Sequence, residues 1–335
     1  MQVGIYTPYV RSSEVTEAAL RLAKGLIRLG VAVDLRAPKG IQEVEPYGWD
    51  QNVRRMDNTR QAVAWAEKCD VCIWFRDAPK LVEAIQLDQM APNIFVALRS
   101  EVPAMYEQMA VYDRVVFACP VKCNELAGFF EGEDPVALQW DAQPMLMSRP
   151  EQRTYDQQQL LIRFGRDTLR HDHRWAVELG QYLHEMAPEW SLVFQLDRTI
   201  PRRAKKQLSQ CGQVHVRPTL CEHVRLLTDS HMYFLASLEP DTAASLAVAR
   251  QLRTVPIAFD VRPSRFQIDP GSDGILLDDP NENGNVDLAQ TAHEVLYCMK
   301  ERPDFWAHMT VDRRSDEELD EFDKLWWHLL WRVQN

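Results

Sequence analysis

The residues best equipped for chemistry fall in two stretches of the second half of the chain. Ser237–Asp260, SLEPDTAASLAVARQLRTVPIAFD, opens with the carboxylates Glu239 and Asp241 around Pro240, runs through an alanine-rich helical segment and ends on the apolar strand Val255–Phe259. Carboxylates in a loop at the mouth of a helix can accept hydrogen bonds from sugar or ribose hydroxyls, each worth roughly 1.5–3 kcal/mol for a charged acceptor. The same two side chains also suit helix capping. The other stretch is Phe164-Gly165-Arg166, directly after an apolar strand and before a helix. Glycine there permits a tight turn, and arginine presents a planar fork matched to phosphate oxygens. Arg170 follows one turn on, while Asp167 and Asp172 offer Arg166 an ordinary surface partner instead.

In the first half, Arg76-Asp77 and Arg99-Ser100-Glu101 each follow a strand, where ligands of α/β proteins are bound. Glu101 is suited to act as a base on an acceptor hydroxyl, and equally to open a helix. Cys69-x-x-Cys72 and Cys119-x-x-x-Cys123 together would supply four thiolates for zinc. Cys72, however, falls inside an apolar strand, where a free cysteine is ordinary core packing. His171-Asp172-His173 has metal-ligand residue types but sits in the loop after Gly165-Arg166, which suits a basic or capping role better. The patch Arg202-Arg203 with Lys205-Lys206 is the pattern of a solvated helix face.

These residues are positioned by a repeating pattern. Val3–Tyr6 is an apolar strand, and a helix from Ser13 carries Ala18, Leu22, Leu26 and Leu29 at three- and four-residue spacing before Gly30 ends it. Val31–Leu35 is the next strand, which completes a βαβ unit. Lys39–Arg60 reads as polar and irregular, after which helices and strands alternate up to Pro135–Trp140. A second series begins with the strand Leu160–Phe164. The expected organisation is α/β: a doubly wound domain over residues 1–145, a linker over 146–158 that overlaps the aperiodic stretch Asp141–Gln157, a second doubly wound domain over 159–312, and a C-terminal amphipathic helix from 313. That helix has acidic first turns, which suits a helix N-terminus, and an apolar face of Phe322, Leu325, Trp326, Leu329 and Leu330 extended by Trp327 and Trp331. It is expected to pack back over the seam between the domains.

The bulk composition narrows the function classes. A length of 335 residues exceeds one typical core, and 46% hydrophobic with 26% charged residues is the balance of a soluble globular protein. A net charge of -11 argues against sequence-independent binding to a polyanion. No apolar run approaches the roughly 18 residues of a membrane span. The N-terminus reads as a strand rather than a secretion signal, and seven cysteines without such a signal suggest free thiols in the cytoplasm.

Taken together, these motifs resemble the GT-B glycosyltransferases, most closely the retaining family 4 group. The shared features are Gly165-Arg166 after the first strand of the second domain, the N-terminal strand, loop and helix followed by Gly30-Val31-Ala32-Val33, and Asp273-Gly274-Ile275-Leu276-Leu277. The resemblance implies two Rossmann-like domains facing each other across a cleft, with a nucleotide-diphosphate sugar as donor and an acceptor hydroxyl as its target. The donor would lie on the second domain without a metal or other cofactor. Arg166 would hold its diphosphate, helped by Arg170, His171 or Arg174 where the family has Lys-Gly. Ser12 and Ser13, within Tyr9–Ser13 where the family has Gly-Gly, join the implied donor contacts. No histidine follows Arg99-Ser100-Glu101, where the family often has one.

The family's Glu, seven residues, Glu signature is present only in its first half. Counting back from Pro256 gives Asp241 and Ala249, and counting forward from Glu239 gives Ala247. Glu239 or Asp241 would orient the transferred sugar, but neither register has a carboxylate at the second position for the ribose, and Thr254 stands where the family prefers glycine. The ribose is therefore expected to be held from outside this stretch. Small-molecule, protein, lipid and modified nucleic-acid-base acceptors all fit. Two other readings remain open: a glycosyltransferase-like fold kept for binding or assembly, with the Trp-rich C-terminal helix as its contact surface, and a nucleotide-sugar epimerase on a similar scaffold.

Overall fold

The structure, a computed structural model, describes residues 1–7, 14–38, 53–75, 79–87, 91–97, 112–117, 136–137, 158–165, 173–238, 244–265, 267–270, 273–278, 288–301 and 316–334. The chain divides into two compact units, Met1–Gln143 with Arg314–Asn335, and Pro144–Arg313.

The first unit contains β1 (Gln2–Tyr6), α1 (Glu14–Arg28), β2 (Ala32–Ala37), β3 (Arg54–Arg55), α2 (Thr59–Ala66), β4 (Val71–Trp74), α3 (Pro79–Leu87), β5 (Asn93–Ala97), β6 (Arg114–Phe117) and β7 (Val136–Ala137). The strands form one sheet in the order β3-β2-β1-β4-β5-β6-β7, with parallel pairing throughout. Ala18, Leu22 and Leu26 of α1 are buried, as their spacing requires, and Gly30 ends the helix at φ 79°. β4 is buried on both faces, so it reads as a continuous apolar run rather than an alternation. Trp74 on β4 meets Trp65 of α2 edge-on at 5.5 Å and Tyr6 of β1 at 5.1 Å.

β3 lies within the stretch expected to be irregular. Only two residues pair with β2, and both are charged and exposed, while Val53 and Met56 on either side are buried. Too short for an alternation to register, the strand left no period in the sequence.

The second unit contains β8 (Gln159–Phe164), α4 (His173–Met186), β9 (Ser191–Leu196), α5 (Arg202–Cys211), β10 (Gln213–Val216), α6 (Leu220–Asp229), β11 (Met232–Ala236), α7 (Ala244–Gln251), β12 (Val255–Phe259), α8 (Arg262–Arg265), β13 (Ile275–Leu277) and α9 (Leu288–Glu301). Its sheet runs β10-β9-β8-β11-β12-β13, again all parallel. One face carries the large apolar core: Ile162, Phe164, Phe194, Leu196 and Phe234 packed with residues of α4, α5 and α9. Each such side chain contributes roughly 1.5–3 kcal/mol on full burial. Alternate residues turn to the opposite face, beneath α6 and α7, and there the strands place Arg163, Gln195 and Tyr233 instead.

The final helix, α10 (Asp316–Gln334), belongs to the first unit and packs on α1 and β4. Its buried register is set by Asp323, Trp326, Leu329 and Leu330. Leu325, expected on the packed face, is instead exposed together with Trp327 and Trp331. A helical residue advances about 100° per position, which carries Leu325 off the face that meets α1 and β4. Asp323 is the anchor: Arg21 donates to its Oδ1 at 2.7 Å and Arg28 to its Oδ2 at 2.6 Å. Gly25 makes room for it, since a Cβ there would sit 2.1 Å from Asp323 Oδ1. Among the described residues, no helix is long and apolar enough to cross a membrane.

Candidate functional site

In an open parallel sheet, ligands bind beyond the strand C-termini where the strand order reverses, because loops on either side of that point leave toward opposite faces. In the second unit the reversal lies between β8 and β11. The two strands run in register, Phe164 beside Ala236, and the Gly165 N–H donates to the Ala236 carbonyl at 3.3 Å. Gly165 and Ser237 therefore leave the sheet side by side. One leads toward Arg166 and α4, the other toward Glu239, Asp241 and α7. The two stretches singled out in the sequence thus depart from adjacent strand ends.

Helix N-termini follow each loop, and the first-turn N–H groups of a helix favour anions. Arg174 lies exposed in the first turn of α4, next to Trp175. Trp175 is buried edge-on against Phe164 at 5.7 Å and tilted on Phe259 at 6.1 Å, closing the apolar core at this end of the sheet.

Of the sequence candidates, the structure describes Gly165 and Arg174. Arg166, Arg170, Glu239, Asp241, Glu101, Ser12 and Ser13 lie outside the described residues, as do Asp77, His171, Cys119 and Cys123. Both alternatives for the second acidic position, Ala247 and Ala249, are fully buried. Thr254 is structural: its hydroxyl contacts the carbonyls of Leu227 at 2.7 Å and Ser230 at 3.1 Å, tying the start of β12 to the end of α6. Asp273 is also built into the scaffold, pairing with buried Arg250 of α7 and accepting from the Asp269 N–H at 2.7 Å. Cys69 and Cys72 are buried free thiols; their mutual hydrogen bond, followed by burial, pushes the Cys72 thiol well above its usual range, as for core cysteines.

Sequence reasoning missed a buried polar network on the α6 and α7 face, close to the same strand ends. Arg163, the penultimate residue of β8, is 1% exposed and sends its Nε–H to both carboxylate oxygens of Asp197, at 3.2 and 3.1 Å. Gln195 of β9 reaches Asp197 with its amide nitrogen at 3.4 Å, and its amide oxygen lies 2.7 Å from His223 Nδ1. Arg163 also bonds to the Tyr233 hydroxyl, which in turn donates to Ser245 in the first turn of α7 at 3.0 Å.

Burial, and then the charge of Arg163, hold the His223 pKa well below its ordinary value. The imidazole is therefore neutral, and with Nδ1–H donating to Gln195 the amide must turn its NH₂ toward Asp197. Burial likewise raises the Tyr233 pKa, keeping the phenol protonated. The signals for this network were an arginine inside Leu160-Leu161-Ile162-Arg163-Phe164, a glutamine inside Val193-Phe194-Gln195-Leu196, and a histidine at an apolar position of α6.

No family model matches the chain, and no curated protein matches it. Solved structures do. The chain superposes on Anabaena Alr3699/HepE, solved with UDP and glucose, with a TM-score of 0.71 and 9% identity, covering 99% of this chain and 100% of that one. The fold is GT-B. The pneumococcal O-GlcNAc transferase GtfA, solved with UDP and GlcNAc, gives a TM-score of 0.70 at 10% identity, covering 99% of both chains. Against S. aureus TarM, solved with fondaparinux, α-GlcNAc-glycerol and UDP, the TM-score is 0.59 at 13% identity; 81% of this chain matches, but it spans only 58% of TarM. At such identities the likeness carries the architecture, two parallel-sheet units of alternating strands and helices.

Proposed function

We propose that this chain is a glycosyltransferase moving a sugar from a nucleotide-diphosphate sugar to an acceptor hydroxyl. The observation that carries this reading is the adjacency of Gly165 and Ser237 at the strand-order reversal, with the N-termini of α4 and α7 beyond their loops. Such a place suits a dianionic group flanked by sugar rings. The UDP and sugar bound by HepE and GtfA, which share the fold, support the same substrate class.

In this reading, Arg166 and Arg170, with Arg174 at the helix start, hold the diphosphate and stabilise the charge that develops as it leaves. Glu239 or Asp241 accepts hydrogen bonds from the transferred sugar. The bond from the anomeric carbon to phosphate oxygen breaks, and a bond from the same carbon to the acceptor oxygen forms. Glu101 takes the acceptor's proton, and Ser12 and Ser13 contact the donor. The stereochemistry is retained and the reaction uses no metal, as in the family the sequence resembles, and the cysteine usage fits an enzyme that works in the cytoplasm.

Thermal-shift measurements with a panel of UDP- and GDP-sugars test the donor assignment, with a rise in Tm expected for at least one. No stabilisation by any nucleotide sugar would end the proposal. Arg166→Ala should weaken binding of that donor at least tenfold, since the guanidinium makes charge-assisted contacts to phosphate; unchanged binding would remove Arg166 from the site. Incubating donor with candidate acceptors separates the chemistries: a glycosidic product is expected, whereas release of nucleotide alone would indicate an epimerase, and binding without turnover an assembly protein.

A further inference from the structure

The donor site as proposed lacks one part. Neither register of the stretch after Ser237 puts a carboxylate at the second position, where Ala247 or Ala249 stands instead, and both alanines are buried on α7. Two vicinal ribose hydroxyls left without an acceptor in a partly desolvated site would cost binding. We propose that Asp197 supplies this acceptor, with Arg163, Gln195 and His223 as the residues that position it. The inference rests on the glycosyltransferase reading above.

Asp197 directly follows β9, and its N–H donates to the Phe164 carbonyl at 3.2 Å, so its backbone lies alongside Gly165. In a nucleoside diphosphate, the ribose follows the diphosphate by one linkage, and β9 follows β8 by one strand spacing, about 4.8 Å. Among the described residues at the C-terminal ends of β8, β9 and β11, Asp197 is the only carboxylate. Further along the sheet, Asp260 after β12 is taken up by Arg265 through both of its oxygens.

The gradient of exposure gives the network a direction. The Arg163 side chain is 2% exposed and that of Asp197 18%, so the polar chain is closed behind and open at the carboxylate. Arg163 and Gln195 approach the carboxylate from the protein side. A carboxylate has about four lone-pair sites, which leaves capacity toward solvent for two hydroxyl donors.

The positioning chain is also internally consistent. Neutral His223 donates through Nδ1–H, which orients the Gln195 amide so that its NH₂ faces Asp197. A flipped amide would set its oxygen against the carboxylate. Burying a guanidinium, an imidazole and a phenol beneath two helices brings little stability that apolar side chains would not bring equally. A fixed carboxylate at the sheet edge is what the arrangement gains.

The test is calorimetric titration of the whole protein with UDP and GDP, and with their 2′,3′-dideoxy forms, for wild type, Asp197→Asn and Asp197→Glu. The wild type should bind its preferred nucleotide at least tenfold more tightly than the dideoxy form. Asp197→Asn should lose most of that preference while retaining binding of the dideoxy form, a pattern that a merely structural role would not produce. Asp197→Glu retains the charge beside Arg163, which protects folding, but displaces the oxygens and should lose the preference too. Equal binding of both forms by the wild type would overturn the proposal. So would variants that fold and keep the preference. Failure of the wild type to bind either nucleotide would overturn the glycosyltransferase reading itself, and Asp197's role with it.

Discussion

Each unit buries arginine against aspartate, and the Asp323 site of the first and the Arg163–Asp197 pair of the second are built differently. In the first unit, Asp323 of α10 is pinned between Arg21 and Arg28, each of its oxygens taken by a different guanidinium and its side chain 1% exposed. The site is closed, and it joins residues 302 positions apart in the chain. In the second unit, Arg163 reaches Asp197 through a single nitrogen, and the carboxylate stays partly open at the end of a strand. A carboxylate saturated by protein groups can only fasten. One approached from behind can still receive a ligand. The first pair thus locks the returning helix onto α1, whereas the second holds an acceptor at the sheet edge.

The largest effect should come from breaking the closed pair. Asp323→Ala deprives the buried Arg21 of the carboxylate it faces, and removing one partner of a buried ion pair costs about 3–5 kcal/mol. The urea midpoint of the transition reported by Trp326, which is buried in the same helix, should fall accordingly. Nucleotide binding at temperatures where the variant is folded should remain at the wild-type level. If Asp323→Ala abolished nucleotide binding in the folded protein, the division into a fastening pair and a ligand-holding pair would collapse.

A smaller effect is expected at His223. His223→Phe leaves the Gln195 amide oxygen without its donor, at a cost of about 1–3 kcal/mol. The histidine also gives the stability a pH dependence of definite sign. Its folded pKa is held well below 6.5, so the unfolded chain binds a proton first as pH falls. Stability is retained above about pH 6.5 and is lost as pH falls below it toward the folded value. Denaturant titrations between neutral and mildly acidic pH should show this slope in wild type and a shallower one in His223→Phe. Equal slopes would mean the imidazole is not kept neutral.

The parts of this molecule readable from sequence are those with a local period or a local stop. Strand-helix alternation located both sheets, and Gly165 and Ser237 fell at strand ends because apolar runs stop there. What could not be read depends on which strands become neighbours. Arg163 and Asp197 are 34 residues apart, and Gln195 and His223 are 28 apart. Each looks like an isolated polar residue in an apolar segment until β8, β9 and α6 are assembled. The strand-by-strand alternation does imply that Arg163, Gln195 and Tyr233 point away from Phe164, Phe194 and Phe234, but not that they share one face. Asp323 was likewise hidden among the acidic residues that open α10, since only the register of that helix on α1 distinguishes it.

The smallest expected effect probes the closed pair from its cationic side. Lys24 sits on α1 near Arg21 and Arg28, and its pKa is pushed down to about 8, chiefly by burial and then by repulsion from Arg28 and Arg21. The folded state thus binds this proton more weakly than the unfolded chain, whose lysine titrates near 10.5. Below about pH 8 both states are protonated and the folded state carries the full penalty of a crowded charge. That penalty is relieved as pH rises from about 8 toward 10.5. Lys24→Met retains the apolar stem and removes the charge, so at pH 7 it should raise the unfolding midpoint modestly, and it should flatten the rise in stability seen in wild type at alkaline pH. A lower midpoint would show that Lys24 strengthens the Asp323 site rather than crowding it, making the cluster around α10 a three-cation clasp in place of a pair of arginines.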